Sequence, residues 1–265
     1  MGDINKHGLS REIDSETKRI IRQKCGFGCV ICGCAIYQYE HVDPTFEDAT
    51  EHNPDNIVLL CGSCHDSETR KIWSKEKVKV HAKNPKCLQT GYTHHKFDFG
   101  NAHPEVVLGT LTWIDTPVII IAMGDPILQI APPEVDGSPY RLSGIFCNDE
   151  GHEIFRITDN EWQGPIENWD IELTGAILTI RRQLRDITLK LHIDPPQRIM
   201  IEQINMFYKG AVIQGNCDRG FHITSPDRSV IEGTAKGIFR SCESGIVISQ
   251  NEVAMGHNCS SGEFR

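Results

Sequence analysis

The chain has 265 residues, 39% hydrophobic and 24% charged, with a formal net charge of -9 at pH 7. That length allows one large domain or two modest ones with separate cores, and no apolar run reaches the roughly 18 to 20 residues of a membrane-crossing helix. The acidity excludes a uniformly phosphate-gripping surface but is unevenly spread: residues 1 to 100 carry 14 Lys+Arg against 14 Asp+Glu, the remainder 13 against 22, so the second part repels a phosphate backbone.

The opening MGDINKHGLSREID shows no apolar stretch behind its charges, and a cytoplasmic protein is expected. Residues 15 to 24 predict a short helix, opened by the Ser15, Glu16, Thr17 cluster and carrying Ile20 and Ile21 together on one side. Gly26, Gly28 and Gly33 then punctuate a knuckle that leads into a strand over residues 35 to 42. Residues 43 to 56, with two prolines and several turn formers, read as a surface loop. A turn is expected over residues 56 to 60, then a second knuckle, then one helix over residues 63 to 80.

Past residue 84 the texture changes, and a boundary is expected between residues 84 and 104. Short runs rich in Val, Ile, Leu, Thr and Phe recur between Gly, Pro, Asp and Asn, which is an all-β pattern. Ile187, Leu189, Leu191 and Ile193 alternate cleanly, as on a sheet buried on one face. The predicted organisation is α+β: a first domain over residues 1 to 90 and an acidic β-rich domain over residues 101 to 265, a sandwich or barrel with a solenoid as runner-up. That second domain shows no nucleotide loop, triad or metal pattern, and Trp113, Trp162 and Trp169 read as core or rim residues.

Six of the eleven cysteines lie between Cys25 and Cys64. An odd count in a chain of this size points to metal binding rather than a disulfide framework, and the other five read as buried or idle thiols. Cys29-x-x-Cys32 and Cys61-x-x-Cys64, separated by 28 intervening residues, have the layout of a closed four-thiolate zinc site. Between the pairs lie Glu40-His41-x-Asp43-Pro44 and Asn56, and His65 follows the last cysteine.

With these residues in place, the segment 15 to 85 resembles the HNH endonucleases of the ββα-metal fold, in their zinc-stapled four-cysteine form. The resemblance rests on the acidic residue and histidine before a proline loop, the asparagine, and Cys-x-x-Cys-His; His41 to Asn56 spans fifteen residues and Asn56 to His65 nine. It implies a phosphodiester hydrolase acting on DNA, double-stranded by preference. His41 is then the general base, Glu40 and His65 ligands of a catalytic Mg²⁺ or Mn²⁺, and Asn56 the group that positions the histidine loop. Glu40 departs from the aspartate of many relatives. Arg70, Lys71 and Lys75 are the expected phosphate contacts, with a solvated helix face as the competing reading. His52 reads as a solvated loop residue, and His94 and His95 fall in the linker between the two parts.

A compact nuclease joined to an acidic β-rich module fits a bacterial restriction or anti-phage effector, in which the second domain senses an activating ligand or partner or sets specificity, and a homodimer would deliver one cut per strand. The alternative is a catalytically silent, zinc-stabilised nucleic-acid-binding or adaptor protein. The joint presence of Glu40, His41, Asn56 and His65 speaks against it, since a binding module needs only the cysteines.

Overall fold

The computed structural model describes residues 4–264. The chain forms two compact units: Met1–His95 together with Gly164–Glu172, and Lys96–Gln163 together with Leu173–Arg265. The sequence reading kept residues 164 to 172 with the β-rich part; in the structure they complete the first unit.

In the first unit, α1 (Ser15–Cys25) is capped by Asp14 rather than by the Ser15 cluster. Its carboxylate accepts the N–H groups of Glu16 and Thr17 at 3.0 and 2.9 Å, satisfying donors that have no partner inside the helix. Ile21 is fully buried while its neighbour Ile20 is exposed, so the two do not share a face. The helix stops at Gly26, whose φ of 70° is unstrained only without a side chain, and a Cβ there would lie 2.7 Å from that of Cys87.

Strands β1 (Gln38–His41) and β2 (Ile57–Leu60) pair antiparallel, with Glu40 opposite Val58 and His41 opposite Ile57. The expected strand over residues 35 to 42 is shortened because its first half is tied elsewhere: the Ala35 N–H donates to the His94 carbonyl at 2.9 Å. Residues 57 to 60, expected as a turn, form a strand. All four side chains are buried, which explains a continuous apolar run in place of alternation.

The single helix expected over residues 63 to 80 is two. The first, α2 (Gly62–Thr69), ends before Lys71, which has a φ of 61°. The second, α3 (Lys75–Lys83), starts afresh from Ser74, whose hydroxyl accepts the Lys77 N–H at 3.2 Å. After a short α4 (Lys86–Thr90), β3 (Tyr92–Lys96) leads out of the unit. Its core gathers Ile13, Ile21, Val30, Val78 and the whole of β2 around Cys25, Cys29, Cys61 and Cys64.

The segment Gly164–Glu172 is held to α1 by buried charge. The Arg22 guanidinium donates to both oxygens of Asp170 at 2.8 Å, to Glu172 at 3.1 Å and to the Tyr39 hydroxyl at 3.0 Å. Arg22 and Asp170 are 3% and 2% exposed, so partners within the protein take the place of water around both charges. Beside them Arg19 lies 4.7 Å over the Trp169 ring, which is therefore a surface-rim residue of this unit.

The second unit contains two open sheets, neither closed into a barrel. In one, Val253–His257, Ser244–Ile248, Val118–Ala122, Asp125–Ala131, Arg141–Cys147, Glu153–Thr158 and Glu161–Pro165 lie side by side in that order. In the other the order is Ile177–Gln183, Asp186–Asp194, Arg198–Tyr208, Glu105–Leu108, Leu111–Ile114, Gly237–Arg240 and Ser261–Phe264. The 11-residue strand Arg198–Tyr208 also pairs with Ala211–Asn216, so this sheet branches. Antiparallel neighbours predominate, unlike the parallel coils of a solenoid.

Two chain segments cross between the sheets in parallel: Leu111–Ile114 continuing into Val118–Ala122, and Gly237–Arg240 continuing into Ser244–Ile248. At the crossing the Ser241 N–H donates to the Ile114 carbonyl at 2.9 Å. Cys242 forms a disulfide with Cys259, which corrects the reading of both as idle thiols, whereas Cys87 and Cys147 are buried and Cys217 is exposed. Trp113 and Trp162 are buried in the core; Trp113 stacks on Phe239, and Gly245 has no room for a Cβ, which would lie 2.6 Å from the indole nitrogen.

Candidate functional site

The four knuckle cysteines converge at the first unit's core. Cys29 and Cys32 lie in the loop after α1; Cys61 caps α2 and Cys64 sits in its first turn. Tight backbone bonds shape the first knuckle: the Cys29 N–H donates to the Cys34 carbonyl at 2.9 Å and the Gly33 N–H to the Cys29 carbonyl at 2.8 Å. Gly28 is required there, because a Cβ would lie 2.6 Å from both the Gly33 carbonyl oxygen and the Thr93 hydroxyl.

The four sulfurs all lie within 4.8 Å of one another, with Cys32 and Cys61 at 3.6 Å. A tetrahedron with Zn–S bonds near 2.3 Å has sulfur–sulfur edges of about 3.8 Å. The set can therefore hold a soft metal ion such as zinc. Burial, followed by the adjacent sulfurs, pushes the Cys64 thiol up to about 12, a cost that a cation offsets by binding thiolate.

One strand away, Glu40 on β1 meets His65 on α2, with Oε2 and Nε2 3.1 Å apart. Both side chains are partly exposed, at 27% and 30%. Burial raises the Glu40 carboxyl above its usual range, and His65 and Lys75 oppose that shift. Glu40, His41, Glu68 and Lys75 line one small pocket. A carboxylate oxygen and an imidazole nitrogen at this separation form a donor pair suited to a divalent cation.

His41 ends β1 and is 6% exposed. Burial pulls its imidazole down to about 4, aided by His52 and Arg11, so the ring is neutral at neutral pH. Its Nε2 lies 3.2 Å from His52 Nδ1, and its ring packs edge-on against Phe46. The Asn56 carbonyl accepts the Val42 N–H at 2.9 Å, closing the base of the loop that His41 begins. The nearby Asn53 side chain accepts the Asp55 N–H at 2.9 Å and shapes the turn into β2.

The three expected phosphate contacts are dispersed by the helix break. Lys75 lines the pocket with Glu40. Arg70 is exposed and paired with Asp66 at 2.9 Å, and Lys71 is exposed in the turn between α2 and α3. His94 and His95 adjoin the cysteine knuckle: His94 Nε2 lies 3.2 Å from the Cys32 carbonyl, and His95 Nδ1 lies 3.9 Å from Cys34 Sγ. The sequence reading missed His52 and the N-terminal arm around it. No spacing rule marks them, because their roles depend on a loop folding back. Comparison with protein-family models, with curated proteins and with solved structures returns no match for this chain.

Proposed function

We propose that the chain is a metal-dependent endonuclease of the HNH type that hydrolyses phosphodiester bonds in DNA. The observation that carries this reading is that Glu40, which lines one pocket with His41, also meets His65 at 3.1 Å, on a strand–strand–helix unit that gathers four cysteines. Two histidines and a carboxylate, from β1 and from the start of α2, exceed what a cysteine-stapled binding module requires.

Each side chain has a chemical task. Glu40 and His65 would hold Mg²⁺ or Mn²⁺, which when bound supplies positive charge to the scissile phosphate and leaving oxygen. The neutral, buried His41 has a free ring nitrogen with which to take a proton from the attacking water. Asn56 fixes the loop behind it. Lys75, beside Glu40, is the phosphate contact nearest the proposed chemistry; Arg70 and Lys71 add salt-dependent attraction without sequence preference. Zinc on Cys29, Cys32, Cys61 and Cys64 would be structural, since four thiolates leave no open position. The acidic β-rich unit then serves sensing, specificity or assembly.

Plasmid cleavage by the purified chain with Mg²⁺ or Mn²⁺, with and without EDTA, tests the reading. Cutting that needs the metal and drops by at least about 100-fold in His41→Ala, with the four-cysteine site still loaded, is the expected result. Cutting undiminished in His41→Ala overturns the mechanism. Binding of DNA without cutting in any metal leaves the adaptor reading in its place.

A further inference from the structure

His52 sits at the far end of the loop that follows His41, and the structure gives it two directed contacts. Its Nε2 lies 2.8 Å from the Ser10 carbonyl oxygen and its Nδ1 lies 3.2 Å from His41 Nε2. A carbonyl has no proton to give, so His52 Nε2–H is the donor to Ser10. In a neutral imidazole the other nitrogen then carries the lone pair and can only accept. The proton in the second contact therefore belongs to His41 Nε2.

The Ser10 carbonyl is itself held in place. Ile4 and Ser10 form a bridge at the base of a tight turn in which the Asn5 N–H donates to the Leu9 carbonyl at 2.9 Å. The Asn5 side-chain amide donates to the carbonyls of Phe46 at 2.6 Å and Ala49 at 2.7 Å, stitching this arm to the loop between His41 and His52. Arm, loop and both histidines thus form one hydrogen-bonded chain that ends on His41.

We infer that His52 is a positioning residue that fixes His41 in its Nε2–H tautomer, leaving the Nδ1 lone pair as the base for water, with the N-terminal arm as the anchor of that arrangement. The inference deepens the nuclease reading and rests on it for the role of the lone pair; the tautomer itself is a property of the resting protein. An orienting hydrogen bond of this kind acts by holding the useful tautomer and ring angle, so its loss lowers turnover more than substrate binding.

The test uses the whole 265-residue chain, with side-chain nitrogen-15 NMR of the histidines beside steady-state cleavage, for the parent, His52→Asn and His52→Leu. In Asn, Oδ1 is bonded to Cγ as Nδ1 is in histidine, so an acceptor is retained; Leu offers none. The expected spectrum shows His41 as the Nε2–H tautomer in the parent and His52→Asn, and as a mixture or the Nδ1–H form in His52→Leu. Cleavage by His52→Leu should fall at least about tenfold in kcat with KM within about twofold, and His52→Asn should recover most of the loss. An Nδ1–H His41 in the parent, or a His52→Leu protein with unchanged tautomer and kcat, overturns the inference. If no variant cuts DNA, the nuclease reading fails and the spectrum still decides the tautomer.

Discussion

The two units hold themselves together by different means. The β-rich unit buries large apolar side chains such as Trp113, Phe146, Phe155 and Trp162 among its strands. The first unit has short elements, two four-residue strands and helices of 5 to 11 residues, and depends on point attachments: a cluster of four cysteines and a buried arginine clamp. Apolar area adds up from many small contributions, so losing one part is tolerable. A point attachment carries a large share of the stability in a few atoms, and its loss is felt throughout the unit.

The largest effect that would break the contrast is loss of the sulfur cluster. With zinc on the four cysteines as proposed, the first unit should lose its fold in Cys64→Ser or under a chelator, because structural zinc sites supply about 10 to 16 kcal/mol. Hydrogen exchange should then show residues 15 to 90 unprotected and the β-rich strands still protected. Equal loss in both units would mean that they fold as one.

Next in size is the clamp. Arg22→Met removes the guanidinium from the buried Asp170 carboxylate, which costs about 3 to 5 kcal/mol, and adding Asp170→Leu should recover much of it. Denaturant titration of both proteins measures this. A single variant as stable as the parent would show that the clamp is ornamental and that apolar packing governs this unit too.

The smallest effect belongs to the β-rich unit. The Asp125 carboxyl is held below its usual range by the Lys209 ammonium and then by the Tyr208 hydroxyl. Its folded value lies below its unfolded one, so its contribution is present above the ordinary aspartate range, near pH 4, and fades as pH falls through the lowered value. Asp125→Asn should slightly flatten the acid limb of this unit's stability curve. A slope unchanged by the substitution would mean that the exposed contact contributes nothing, as many surface pairs do.

What was legible in the sequence was local. The cysteine pairs announced themselves by spacing, because two residues fit the turn of a knuckle, and the strands of the second unit showed through their apolar runs. The helix break before Ser74 was harder to see, since Lys71 takes a left-handed conformation with neither glycine nor asparagine to mark it. Ile57 to Leu60 misled for the opposite reason: a strand buried on both faces loses the alternation by which strands are recognised. His52, Ser10, Arg22 with Asp170, and Cys242 with Cys259 were invisible because their meaning lies in pairing. Arg22 and Asp170 are 148 residues apart, and nothing near either in the chain names the other.

The segment Gly164–Glu172 has a consequence for how such a protein can change over time. A unit encoded by one continuous stretch can be copied, lost or exchanged by a single recombination event. Here a gene fragment ending at residue 95 would encode the cysteines and histidines but leave Arg22 facing no carboxylate. Shuffling the first unit onto another partner would require two pieces moved together, and the two halves of this chain are in that sense heritable only as a pair.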